Sequence, residues 1–330
     1  MSMSLRRDPR GTFASALILG GLLSILFLAA VAKVAIATGV LYVFFPELGA
    51  LSYDVFTRPA GAWARAPIML TVTPAVTAAM GTALTQVMPY GLWSVALTIA
   101  GAILIVGVMR SPIVPAISAA FLPLVFGITS WWYPVSIAAV MALLAVASMI
   151  HVRLVVSGEL RQAPASGAVA QADDMEREPW LKIWPLVFVG FLLLVYGLAV
   201  VTGLRLILFP PLVVIAFEMF AHANVRPWAK RPLVLPLVCT IAAGAGVAAI
   251  LAFGVGPLSV VISLLAGIVT LRTLRLHFPP ALAVGLLPQI MSNADWSFVL
   301  AVAVGMSMLA GAFLLARPVL LSRSVVLEAG

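Results

Sequence analysis

Much of this chain's pattern is written twice, and that self-similarity constrains the fold more than any single motif does. Thr38, Gly39, Phe45, Pro46 and Leu48 recur as Thr202, Gly203, Phe209, Pro210 and Leu212, all at one offset of 164. At the same offset Tyr53-Asp54-Val55-Phe56 meets Phe217-Glu218-Met219-Phe220. One insertion moves the offset to 165, where Trp63-Ala64-Arg65-Ala66-Pro67 faces Trp228-Ala229-Lys230-Arg231-Pro232. Farther on, Arg110, Pro115, Ala116, Leu122, Pro123 and Trp131 face Arg275, Pro280, Ala281, Leu287, Pro288 and Trp296. A register held across one gap predicts two homologous units: an N-terminal repeat over 1–155, a polar Ala/Ser/Gly-rich linker over 156–182 and a C-terminal repeat over 183–330.

The medium in which those units fold follows from hydropathy. Of 330 residues 63% are hydrophobic and 9% charged, with a mean hydropathy of +1.18, which excludes an ordinary soluble domain and predicts an all-α polytopic helix bundle. The formal charge of +8 reads as loop charge facing an anionic leaflet, since no basic stripe interleaved with aromatics suggests nucleic acid. The lone Cys239 lies in an apolar run, so neither a disulfide framework nor a cysteine metal cluster is available. The apolar run after the first basic residues continues to Phe45, too long for a signal peptide's core, and reads as a retained first span.

In each copy a long apolar run ends at Phe-Pro, followed in the first copy by spans near 67–88, 91–109, 112–130 and 132–152 and in the second near 232–254, 257–274, 278–292 and 296–316. At about 20 apolar residues per span, this predicts about ten spans in two five-span repeats. The fourth segment of each copy is broken by prolines: Pro112, Pro115 and Pro123 against Pro279, Pro280 and Pro288. If that segment crosses, the repeats are inverted relative to each other; if it is re-entrant, they are parallel. Counting basic residues favours inversion, ten inside to seven outside.

Paired Pro-interrupted segments at corresponding positions point to a transporter's substrate site, because unwound backbone offers partial charges near the midplane. Pro115 in one copy and His277, Pro279 and Pro280 in the other mark that pair. After Pro46 and Pro210 come short stretches carrying one acid each, Asp54 and Glu218; each reads as a half-helix whose N-terminus suits an anion, or as an interfacial helix with its acid in water. Lys33 and Arg205 sit inside apolar runs, where a charge costs about 2.5–3.5 kcal/mol on insertion scales, and are expected to form an asymmetric cationic lining or to snorkel. No nucleophile-and-base pattern, phosphate loop or metal-ligand spacing occurs, so no enzyme, cofactor or metal is expected.

His277-Phe278-Pro279-Pro280-Ala281, following an arginine-bearing span and preceding Leu287-Pro288, resembles the motif that names the HPP family of integral membrane proteins. The upstream Phe-ending segments followed by WARAP and WAKRP resemble that family too, so each repeat looks like one HPP-like unit. Phe278 separates the histidine from the prolines, and the first copy carries Pro112 in the histidine's place. The resemblance implies a small-anion transporter, since plant members are associated with nitrite transport. A weaker similarity is to fusaric-acid and aromatic-acid exporters. The expected protein is thus a multi-pass inner-membrane secondary transporter of a small solute, with the bilayer and that solute as partners and assembly with further copies of itself left open. A non-transporting membrane scaffold is the alternative.

Overall fold

A computed structural model describes residues 9–155, 183–223 and 227–322, and among them it contains helices and no strand. The linker expected at 156–182 lies outside the described residues. The N-terminal part runs α1 (Pro9–Thr38), a 3-10 turn (Leu41–Val43), α2 (Leu48–Thr57), α3 (Ala62–Arg65), α4 (Pro67–Val87), α5 (Leu92–Val108), α6 (Ala116–Phe126) and α7 (Trp132–Val155). The C-terminal part runs α8 (Trp184–Thr202), a 3-10 turn (Arg205–Leu208), α9 (Pro210–Ala221), a 3-10 turn (Pro227–Lys230), α10 (Val234–Phe253) and α11 (Pro257–Thr273). It ends with α12 (Pro280–Leu286), its 3-10 extension (Leu287–Ile290) and α13 (Trp296–Ser322).

Local sequence explains where these helices stop. α1 and α8 end at Gly39 and Gly203, both left-handed at φ 69° and 72°, a conformation that costs glycine nothing. Before each, a threonine hydroxyl turns back on the helix: Thr38 donates to the Val34 carbonyl at 2.8 Å and Thr202 to the Leu198 carbonyl at 2.7 Å. α5 and α11 end at left-handed Arg110 (φ 47°) and Arg275 (φ 50°), the non-glycine residues of positive φ among those described. Both turns close with the same long-range cap, Ser111 N–H to the Val106 carbonyl and Leu276 N–H to the Leu271 carbonyl.

Among the described residues six helices are long and apolar enough to cross a membrane: Leu17–Thr38 of α1, α4, α7, α8, α10 and Trp296–Leu320 of α13. The count is six, not the ten expected, because α5 and α11 have 17 residues each and the remaining apolar helices are far shorter. α2, α6, α9 and α12 have 10, 11, 12 and 7 residues. At 1.5 Å per residue none reaches much beyond about 18 Å, against a hydrocarbon core of about 30 Å. These four form the centre. Every residue of α2, α9 and α12 is buried, as is Ala116–Val125 of α6. The long helices surround them and turn apolar side chains outward, Val201 (85% exposed) and Leu315 (84%) among them, as lipid-facing helices do.

The short helices pair crosswise: α2 packs on α12 and α6 on α9, while α1 lies along α11. Glycine permits the tightest approaches. A Cβ on Gly81 of α4 would stand 2.0 Å from the Ala120 carbonyl oxygen of α6, and one on Gly246 of α10 would stand 2.1 Å from the Gly285 carbonyl oxygen of α12.

Long-range bonds sort the helix ends into two groups. At one end Asp54 meets His277, Arg272 donates to the Leu17 carbonyl, His151 meets the Phe56 carbonyl and Trp63 donates to the Pro112 carbonyl. Trp228 packs on Phe278 there, with ring centroids 5.0 Å apart. At the other end Gln86 donates to the Thr129 carbonyl, Arg205 stacks on Tyr90, and the Gly256 N–H donates to Gln289. Trp63 and Trp228, and with them the WARAP and WAKRP loops, therefore lie at the same end. Inverted halves would have put them at opposite ends.

Candidate functional site

Two polar clusters are built into this apolar molecule. The first joins the two parts of the chain. Asp54, in the last turn of α2, is buried and accepts a hydrogen bond from Arg58 Nε at 2.8 Å, with Arg58 Nη2 also on the same oxygen, Oδ1. His277 Nε2 lies 3.0 Å from that oxygen, and its ring stacks on Tyr53 at 6.1 Å between centroids. Arg58 and His277 are each about one-third exposed, so the cluster opens toward the end of the molecule. A carboxylate held this way is compensated, which is how a buried charge is tolerated.

The second cluster is deeper. Glu47 stands at the start of α2, where the chain resumes a helix after the non-helical break at 44–45. Its side chain is buried, and Oε1 has no hydrogen-bond partner. The first N–H groups of α2 cannot satisfy it, because they bond back to carbonyls: Leu48 to Phe45, Gly49 to Pro46. Ser118 of α6 faces Glu47 at a geometry that falls short of a hydrogen bond, and Glu218 of α9 is close enough to act on it electrostatically. Tyr133 of α7 completes the surroundings; its hydroxyl is committed to the Ala119 carbonyl at 2.9 Å.

The other expected site residues fall into place around these clusters. Pro115 precedes α6, and Pro279 and Pro280 open α12; after Arg110 and Arg275 the chain runs without regular helix until these prolines, as the Pro-interrupted segments predict. Glu218 is buried in α9, and Asp54 and Glu218 both lie on helices with no exposed residue, which overturns the interfacial-helix alternative for those stretches. The cationic lining does not form. Lys33 is exposed on α1, and Arg205 is occupied, 3.7 Å above the Tyr90 ring and donating to the Leu124 carbonyl at 2.7 Å. Arg205 lies at the end of the molecule opposite His277. Glu47 is the site residue that sequence reasoning passed over, although an acid after Phe-Phe-Pro inside an apolar run is signal enough.

A groove of about 610 Å³ also runs between α5 and α8, lined by Val95, Ile99 and Ile103 on one side and Trp184, Phe188 and Tyr196 on the other. It holds none of the buried acids and faces outward between two lipid-exposed helices. Among the described residues no group of three or more His, Cys, Asp or Glu could hold a metal ion. Comparison with protein-family models, with curated proteins and with solved structures finds no match. A multi-pass helical membrane protein is thus the class that fold and composition define.

Proposed function

We propose that this protein is a secondary transporter of a small solute, built from two parallel repeats of six crossings each. The observation that carries the reading is the core of four short helices, buried throughout except at Phe126, shared crosswise and broken from the chain before them by non-helical backbone. Broken helices at membrane depth occur where a site is lined by protein, and they offer a solute polar groups that a continuous helix keeps to itself.

Twelve crossings follow if each short helix is counted with the extended chain that leads into it. Segment 111–129 begins beside Thr73, near the start of α4, where Ser111 accepts the Thr73 hydroxyl bond at 2.7 Å. It ends where Thr129 accepts from Gln86, the penultimate residue of α4, and so runs alongside about two-thirds of that span, roughly 20 Å. The charge distribution supports the same count. Arg58, Arg65, Arg110, Arg153, Lys230, Arg231, Arg272, Arg275 and Arg317 belong to the Asp54–His277 end. Of the basic residues whose side chains are described, this leaves Lys33 and Arg205 for the other end. Nine of the 11 described basic side chains on one side is the asymmetry expected of a cytoplasmic face, and it supports an inner-membrane location with that end inside. The matched turns at Arg110 and Arg275 and the matched contacts of Gly81 and Gly246 support the duplication.

The HPP resemblance makes nitrite and similar small anions the first solutes to try. The basic residues around Asp54 and His277 favour that choice as an electrostatic funnel at the cytoplasmic mouth. The test is reconstitution in proteoliposomes, with solute-driven flux followed by an internal pH-sensitive dye and by isotope uptake. Uptake of a small anion or organic acid above that of protein-free vesicles is expected. No flux with any member of a panel of anions, organic acids and cations sinks the transporter in favour of a membrane scaffold.

A further inference from the structure

The buried acids differ in how they are compensated, and the difference gives one of them a distinct role. Asp54 carries two partners on one oxygen. Glu47 is 2% exposed with an oxygen that bonds to nothing. An ionised carboxylate in that position would face an uncompensated desolvation cost, whereas the neutral acid faces a much smaller one. The charged and titratable groups that face Glu47 do not change the balance. Glu218 from α9 is itself an acid and disfavours a second negative charge, Tyr133 from α7 is neutral, and Ser118 from α6 supplies only a hydroxyl. α12, which α2 touches through Gly49 against Leu282 and Leu286, is Pro-Ala-Leu-Ala-Val-Gly-Leu and brings no charge.

We propose that Glu47 is a proton-binding residue of the transport cycle, neutral in the buried arrangement and releasing its proton when its surroundings open to water. The proposed ion is a proton rather than a metal, since among the described residues no group of three or more His, Cys, Asp or Glu gathers around Glu47. Its position suits that role, because Glu47 sits where a short helix begins, next to the non-helical break at 44–45, so that a movement of α2 would change its surroundings. Solute movement and proton movement would then share one moving part. Coupling to solute rests on the transporter reading; proton binding at Glu47 does not.

Two measurements separate these claims. Infrared spectra of wild-type protein and Glu47→Gln in lipid vesicles, recorded from mildly acidic to alkaline pH, are expected to differ by one protonated-carboxyl carbonyl band that is present in wild type and absent in the variant. Glu47→Asp, which keeps the carboxyl, is expected to restore a band, and near-identical melting temperatures of wild type and Glu47→Gln exclude misfolding as the cause. In proteoliposomes, Glu47→Gln is expected to lower proton flux driven by the solute at least tenfold. Identical carboxyl bands in wild type and Glu47→Gln at every pH overturn the proposal, as does wild-type proton-coupled flux in Glu47→Gln. A Glu47 band in protein that moves no solute upholds proton binding and removes the transporter reading instead.

Discussion

His277 Nε2 stands 3.0 Å from Asp54 Oδ1 and so ties the start of one short-helix segment to the end of another, across 223 residues of chain. Because Arg58 holds the same carboxylate, deleting the acid strands two donors at once. Asp54→Asn is expected to cost about 1–3 kcal/mol, toward the lower side because Arg58 and His277 are partly solvated. A double-mutant cycle of Asp54→Asn with His277→Gln, read by thermal unfolding in detergent, should show a coupling of about 1 kcal/mol. Additive losses would mean that the contact contributes nothing of its own.

Gly81→Ala and Gly246→Ala should each be severely destabilising. The added methyl group meets backbone oxygen at 2.0 Å or 2.1 Å, and backbone cannot swing aside as a flexible side chain can. A cost of about 1–3 kcal/mol or more is expected for each, with similar drops in melting temperature. Gly190, with nothing within 4 Å of its would-be Cβ, is the control and should accept alanine.

Side-specific labelling tests the arrangement of the ends. In a Cys239→Ala background, single cysteines at the exposed positions Arg65 and Lys230 should react with a membrane-impermeant thiol reagent from the same face. A cysteine at exposed Asn293, in the loop before α13, should react from the other face. Labelling of positions 65 and 230 from opposite faces would restore inverted repeats.

The two cations set within apolar sequence should behave differently. Arg205→Met loses the contact over Tyr90 and the bond to the Leu124 carbonyl and is expected to lose about 1–2 kcal/mol of stability. Lys33→Met, at an exposed helix position, should stay within about 0.5 kcal/mol of wild type. Comparable melting-temperature losses would show that Lys33 has partners of its own.

The helical membrane class was legible because hydropathy is a property of every residue at once, and the short Pro-led helices because proline acts on its own backbone. Proline also announced the breaks at Pro115 and Pro280, whereas the breaks at Gly39 and Gly203 fall inside apolar runs that read as continuous to Phe45 and Phe209. Pairing was not legible. Nothing near Asp54 says that its partner will be His277, since that contact depends on which helices cross. The cationic lining failed for the same reason: a lysine in an apolar run has two sides to choose from, and Lys33 lies on the outward one. The inverted topology treats each Pro-interrupted segment as one span and gives the chain between Gly39 and Thr57 no crossing; the proposed twelve-crossing arrangement counts that chain as a crossing, a change of parity that a linear charge count does not expose.

The bond from Arg272 to the Leu17 carbonyl, 2.6 Å long and 255 residues apart in the chain, also has a consequence for biosynthesis. This anchor of α1 cannot close until α11 has been made, well after α1 itself has left the ribosome. At about 5–20 residues per second, α1 waits for its neighbour on the order of 10–50 s. During that interval the face around Gly21, where Arg272 will stand, is exposed to lipid or to the insertion machinery, whereas the Ser24–Ser52 contact, 28 residues apart, can already form. A transcript truncated before α11 should therefore yield a membrane-inserted but unfinished protein, a natural substrate for quality-control proteases.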